Sequence, residues 1–291
     1  MTEDPYLTHR RLLFTIAYEM LGSAADAEDV LQESWLKWDA VDQGEVRDPR
    51  AYLVRIVTRK ALDRMRTVAR RREEYVGPWL PEPLLTTSDV AQDMELADSL
   101  SMAMLLVLET LTPTERAVFL LRDVFGLEYD ELAEAVGKTQ AAVRQIAHRA
   151  RAHVAARRPR STPSQAETRA ALEAFLKALE TGDLQGLADI LAPDVVALGD
   201  GGGVKQALPR PVVGAAKVGR LLGFGVSAFR DQGMSAEISY VNGWPALILR
   251  DAEGLDSVMS VRVENGLVTA VYTVRNPHKL FGMNSEAAFA R

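Results

Sequence analysis

The sequence predicts a multidomain protein: two all-α domains, the second with a helix-turn-helix, followed by one α+β domain. Three observations carry this. Apolar residues recur at intervals of three and four from about Leu7 to Arg72, and again from Asp98 to Arg151. Within that span, Gly137 and Thr139 break the pattern into two short helices, the second with basic residues outward. Beyond about Phe229 the period changes to that of strands, divided by Asn-Gly and Glu-Gly turn signals.

Composition sets the bounds. A chain of 291 residues, 47% hydrophobic and 25% charged, is ordinary globular material of two or three domains. The absence of cysteine excludes disulfides, thiolate metal sites and thiol catalysis. No charged-then-apolar leader and no apolar run of spanning length are found, so a cytoplasmic protein without a membrane partner is expected. The net charge of −6 argues against nucleic acid until its distribution is considered. Arg55, Arg59, Lys60, Arg64, Arg66, Arg70, Arg71 and Arg72 are opposed within their stretch only by Asp63, and Arg144 to Arg160 holds six arginines and no acid. Solvated helix faces normally mix both signs. Two basic blocks instead suggest two phosphate-facing surfaces.

In chain order, Leu12, Leu13, Ile16, Ala17 and Met20 form the face of a first helix that Gly22 ends. Ser23 suits the next N-cap, with Asp26, Glu28 and Asp29 at a helix start that favours negative charge. Val30, Leu31, Trp35 and Trp38 are its expected apolar stripe. A polar loop from Asp39 leads to Pro49, which opens a helix with Tyr52, Leu53, Ile56, Val57 and Leu62 as core candidates. Pro78, Pro81 and Pro83 prevent a continuous helix through the connection that follows. There the WLPEP segment, Trp79 to Pro83, suggests docking onto another surface, the alternative being an incidental tryptophan in a loop. A helical, leucine-rich stretch from Asp98 to Leu111 begins the next domain, and Thr112 with Pro113 starts another helix.

In the helix-turn-helix, Leu132, Ala133 and Val136 share one face of the first helix, and Gly137 ends it. Thr139 caps the second, where Val143, Ile146, Ala147 and Ala150 point inward. Gln140, Arg144, Gln145, His148, Arg149 and Arg151 occupy its other faces, with no carboxylate from Lys138 onward. Arginine can bond guanine bidentately and glutamine can bond adenine, so this helix has the chemistry of direct base readout.

The segment AEDVLQESWLKW, Ala27 to Trp38, followed by PRAYLVRIVTRKALDRMR from Pro49, resembles region 2 of bacterial sigma factors of the extracytoplasmic-function (ECF) type. Leu111 to Arg151 is similar to region 4 of the same group, in matching order and separation. The resemblance implies a subunit that binds core RNA polymerase at the β′ clamp helices and the β flap, and reads promoter DNA. Asp29, Gln32 and Glu33 match the group's acidic D-x-x-Q-E, which docks on the clamp helices. Arg55, Arg59 and Arg64, with Tyr52 either stacking or core, fall in the part that melts and reads the −10 element. Arg59 departs from the asparagine common there. The helix-turn-helix would read the −35 element.

A second linker, RRPRSTPS, precedes an amphipathic helix carrying Leu172, Phe175, Leu176 and Leu179, a short helix after Gly182-Asp183, a strand at Val195 to Leu198, a helix over Ala215 to Phe229 and four strands. This part resembles a SnoaL-like domain of the NTF2-like cone fold. The expected layout is 5–72 region 2, 73–97 linker, 98–156 region 4, 157–164 linker and 165–291 SnoaL-like domain with tail. A cone could house acid–base catalysis or an unidentified small ligand, but His278 lies on the tail, and Glu237, Asp251, Asp256 and Glu264 sit near strand ends and are expected to face solvent. No catalytic group, metal or cofactor is therefore assigned.

A subgroup of ECF sigma factors carries such a domain fused, with patterns similar to WLPEP, DGGGK and NPDKL. Here these are Trp79, Leu80, Pro81, Glu82 and Pro83; Asp200, Gly201, Gly202, Gly203 and Lys205, with Val204 inserted; and Asn276, Pro277, Lys279 and Leu280, with His278 replacing aspartate. The resemblance implies regulation in cis, with the three segments near an intramolecular contact. Two rivals stand beside this reading: a free-standing helix-turn-helix repressor, and a DNA-binding module fused to a SnoaL-like enzyme.

Overall fold

The computed structural model describes residues 4–158 and 164–291; residues 159–163, most of the second expected linker, lie outside the described residues, as do the side chains of Arg70, Arg71, Ser88 and Asp89. The chain divides into two compact units that interleave along the sequence. One comprises the residues up to Glu74, Gln92–Arg158 and Ala287–Arg291; the other comprises Tyr75–Ala91 and the stretch ending at Glu286.

The first unit is helical. Helix α1 (Pro5–Leu21) buries Leu12, Leu13, Ile16, Ala17 and Met20 and stops at Gly22 in the left-handed region, φ 67°. Helix α2 (Ala24–Asp39) starts on the Ser23 side chain, which accepts from the Asp26 N–H. Its buried face is Ala27, Val30, Leu31, Ser34 and Trp38. Trp35 does not belong to that face: Ser34 takes the inward position, and Trp35 and Leu36 stand 40% and 57% exposed. Helix α3 (Pro49–Glu73) buries Leu53, Ile56, Val57 and Leu62, while Tyr52 is half-buried with its ring 5.9 Å from Trp38. After a one-turn helix α4 (Ser88–Gln92), the expected helical, leucine-rich stretch from Asp98 to Leu111 falls on two helices, α5 (Met94–Leu100) and α6 (Met102–Leu108). Ser101, extended at ψ 144°, breaks them and caps α6 by accepting from the Met104 N–H.

Helix α7 (Pro113–Phe119) opens with a capping box between Thr112 and Glu115. Helix α8 (Tyr129–Val136) and helix α9 (Gln140–Arg157) follow, separated by Gly137 at φ 66° and the Thr139 cap. Val143, Ile146, Ala147, Ala150 and Val154 of α9 are buried; the larger of these side chains each contribute roughly 1.5–3 kcal/mol by leaving water. The last residues return to α1: Phe289 packs on Phe14 and Tyr18 at 5.7 and 5.6 Å, and the Ala290 N–H donates to Thr15 Oγ.

A buried charge cluster ties α1 to α5 and α7. Glu19 is fully buried, accepts from Ser99 Oγ at 2.8 Å, and its other carboxylate oxygen has no partner among the described residues. Its carbonyl accepts from Arg116 Nε at 2.9 Å; Arg116 also pairs with Glu109, which in turn takes Arg72. Burial pushes the Glu19 carboxyl up to about 8, against the opposing pull of Ser99 and Arg116. Burial likewise lowers Arg116 to about 9.

The second unit is α+β. Helices α10 (Gln165–Thr181) and α11 (Leu184–Asp189) precede strand β1 (Leu191–Asp200); β2 (Val212–Val213), helix α12 (Ala215–Asp231), β3 (Ser235–Val241), β4 (Trp244–Asp251), β5 (Gly254–Glu264) and β6 (Leu267–Val274) follow. The sheet order is β2-β1-β6-β5-β4-β3, parallel only between β1 and β6. Asn242-Gly243 and Asn265-Gly266 have positive φ throughout, as two-residue hairpin loops require. Leu172, Phe175, Val218, Leu222 and Phe229 of α10 and α12 pack with Val195, Leu247, Val263 and Val271 of the sheet. No helix among the described residues is long and apolar enough to cross a membrane.

Candidate nucleic-acid interface and linker-capture site

The α9 face presents Gln140, Arg144, Gln145, His148 and Arg149 to solvent. Arg144 lies 5.3 Å over the Tyr129 ring, Arg151 pairs with Asp123 at 2.8 Å, and Arg149 approaches Glu115 at 3.7 Å. Capping at Thr139 and the apolar inward stripe fix the rotation of α9, so this polar face is held outward.

The other basic block is less free than its sequence implies. Arg64 pairs with Asp26 at 2.7 Å and with Asp29. Lys60 pairs with Glu33 at 2.7 Å and Arg55 with Glu134 at 3.2 Å. Arg59 donates to the carbonyls of Glu134 and Ala135, at 2.7 and 3.4 Å. The acids opposing this stretch come from α2 and α8, distant in sequence, which corrects the expectation that only Asp63 opposes it. Two of the three residues expected to meet polymerase, Asp29 and Glu33, thus sit beside residues of α3; Gln32 is exposed.

In the second unit, the three singled-out segments meet around Asp200, which is fully buried at the end of β1. Its carboxylate accepts from Tyr75 Oη at 2.6 Å, the Leu80 N–H at 2.8 Å, the Gly202 N–H at 3.1 Å and Lys279 Nζ at 2.7 Å. Lys279 sits on helix α13 (Pro277–Leu280), whose N-cap Asn276 donates from Nδ2 to Tyr75 Oη at 2.7 Å. The ammonium also donates to the Leu80 carbonyl and lies 4.1 Å from the Trp79 ring centroid and 4.8 Å from that of Tyr75. A charge this deep is tolerable because every face of it is met. Burial, then the bond to Asp200, raises the Tyr75 hydroxyl, which therefore remains a donor.

The glycines allow the close approach. A Cβ on Gly201 would fall 2.0 Å from the Lys205 carbonyl oxygen, and one on Gly202, at φ 60°, 2.2 Å from Asn276 Nδ2. Lys205 does not reach the linker: it pairs with Asp256 at 2.9 Å, as does Arg275 at 2.8 Å. Asp256 is accordingly buried, 5% exposed, against the expectation of a solvent-facing acid; burial works to raise its carboxyl, yet Arg275 and Lys205 hold it below the usual range. Glu264 is likewise engaged, by Arg262. Leu80, Pro81 and Pro83 are buried, Trp79 and Glu82 half-buried, Leu280 buried, and Pro277 and His278 exposed. Further along, the Leu84 N–H donates to Asn242 Oδ1 at 2.7 Å and the Thr86 N–H to the Tyr240 carbonyl at 3.0 Å, so the linker runs beside the edge strand β3. Tyr75, Thr86 and Asn242 were not singled out from sequence. Only the Asn242-Gly243 turn signal touched one of them.

The Sigma-70 region 2 family matches residues 6–72 and the Sigma-70, region 4 family residues 101–154. Over 287 residues the chain is 35% identical to ECF RNA polymerase sigma factor SigJ of Mycobacterium tuberculosis, covering 94% of this chain and 91% of that protein. It is 29% identical over 281 residues to the probable ECF RNA polymerase sigma factor SigI of the same organism, covering 96% and 94%. The crystal structure of Mycobacterium tuberculosis SigJ is similar with a TM-score of 0.75 and 34% identity, over 95% of this chain and 97% of that one.

Proposed function

The chain belongs to the extracytoplasmic-function family of RNA polymerase sigma factors, and on that premise we propose how its parts divide the work of promoter-specific initiation. Helix α2, through Asp29, Gln32 and Glu33, docks on the β′ clamp helices of core polymerase, and the α7–α9 region meets the β flap. Arg55, Arg59 and Arg64 of α3 contact the melted −10 strand. The α9 face reads the −35 element, Arg144, His148 and the flanking glutamines reaching base edges while some arginines contact phosphate only. The observation that carries this reading is the exposed polar face of α9, a helix that carries no carboxylate of its own.

The second unit regulates in cis by holding the linker. Its grip is the Asp200 carboxylate, which closes on Tyr75, Leu80 and Lys279 together. Because the linker is part of the same chain, a weak grip suffices at high effective concentration. Polymerase binding competes by preferring the released linker. The buried acids of this unit support a regulatory rather than catalytic role: Asp200 and Asp256 are each met by cations and are not free to shuttle protons. The protein acts where polymerase does, in the cytoplasm.

The test is promoter-dependent transcription with purified core polymerase, comparing the full chain with Asp200→Ala. Initiation by the full chain on promoters selected by holoenzyme binding is expected, with the variant differing in activity. If neither form binds core polymerase or initiates, the functional reading fails; equal activity overturns the regulatory part alone.

A further inference from the structure

We propose that helix α8, the first helix of the helix-turn-helix, is an intramolecular stand-in for the DNA backbone that holds the −10-reading arginines closed. The inference rests on the role proposed above for Arg55 and Arg59. A phosphate offers an arginine a negative charge and acceptor oxygens. The C-terminal end of α8 offers both. Its last carbonyls lack intrahelical donors and carry the negative end of the helix dipole, and the Glu134 carboxylate stands beside them. Arg59 takes the carbonyls of Glu134 and Ala135 while Arg55 takes the carboxylate. Asp130 and Glu131 line the same side of a cavity of about 650 Å³ between α8 and the loop from Val41 to Asp48. Arg59 is also where the chain departs from the asparagine common in similar sequences, and an asparagine side chain is too short to span two carbonyls in this way.

The arrangement is incompatible with promoter engagement. The −10 and −35 elements lie about 25 base pairs apart, roughly 85 Å of duplex. A compact unit of this size spans about 40 Å. While α8 rests on α3, both reading surfaces cannot reach their elements, and the arginines needed for one of them are occupied. Opening exchanges carbonyl and carboxylate for DNA phosphate on the same two guanidinium groups, so the latch is displaced by the ligand it resembles.

The chain has no cysteine, which makes a direct test available. Cysteines at Lys37 and Lys138, both exposed, would carry a donor and acceptor dye in the full-length protein. Anisotropy with a mixed-sequence 12-nucleotide single strand reports access to α3. Glu134→Lys reverses the charge that faces Arg55 and stands beside the carbonyls holding Arg59; it is expected to tighten strand binding at least fivefold and to lower transfer efficiency. Glu180→Lys, exposed in the other unit, matches the charge change and is expected to leave both readouts within a factor of two. Unchanged transfer and binding in Glu134→Lys, or an equal gain in Glu180→Lys, overturns the latch. Arg55→Gln with Arg59→Gln, assayed for open-complex formation in the holoenzyme, tests the premise separately. If that pair melts promoters as wild type does, the DNA role of these arginines and the latch both fall.

Discussion

Replacing Glu19 by glutamine probes the charge cluster that joins α1 to α5 and α7. The carboxyl titrates near 8 in the folded chain against an ordinary value of 4.5, so between those limits the folded state holds a proton that the unfolded state releases. Its contribution is therefore most favourable at the acid end and is lost as pH rises, by about 1.4 kcal/mol per unit up to about pH 8. Over pH 6 to 8 the wild type should lose roughly 2–3 kcal/mol through this group. Glutamine keeps an acceptor for Ser99 Oγ and does not titrate. Urea unfolding followed by far-ultraviolet circular dichroism at several pH values gives the stability of each protein, and other titrating groups cancel in the difference. That difference should move in favour of Glu19→Gln by about 2–3 kcal/mol between pH 6 and 8. A difference that stays constant within about 0.5 kcal/mol would refute the assignment of a buried, protonated carboxyl.

Three further outcomes follow from the site geometry. Asp200→Ala leaves Lys279 buried without its counter-charge and should cost the second unit about 3–5 kcal/mol in denaturant unfolding, with increased proteolysis within 75–91. Gly202→Ala forces a Cβ against Asn276 at a positive φ and should cost about 1–3 kcal/mol, measured the same way; an unchanged midpoint would mean the loop is not held against α13. Arg144→Ala should relax discrimination at one −35 position by about 1–3 kcal/mol, read as competition between matched and mismatched promoters, without altering core polymerase affinity.

What could be read from the sequence was what is encoded locally. The inward stripe of α9, the Gly137 stop and the Thr139 cap are each settled within a few residues, and the outward face follows from them by subtraction. The Asn-Gly turns were visible for the same reason. Trp35 was misplaced because two adjacent positions could both complete the α2 stripe, and packing chose Ser34. The break at Ser101 was hidden because Leu96, Leu100, Met104 and Leu108 keep a four-residue spacing straight across it. The acids that neutralise α3 lie on α2 and α8, so no window on the basic stretch could reveal them. At the linker site, Asp200, the glycines and Lys279 stood out as residue types. Tyr75 and the Leu80 amide did not, since a backbone donor has no signature in sequence.

The interleaving of the two units has a consequence for the order in which the protein is made. The linker leaves the ribosome roughly 200 residues before Lys279 does, which at bacterial elongation rates of about 5–20 residues per second is on the order of 10–40 s. Over roughly the last 120 of those residues, on the order of 6–24 s, the helical unit up to Arg158 is already synthesised, while Leu80 and Leu84 await the sheet that will cover them. Under the proposed regulation in cis, a nascent chain therefore passes through a stage in which the promoter-reading part exists before its restraint. Translation speed between residues 164 and 280 thus becomes a variable in how much unrestrained sigma factor a cell carries.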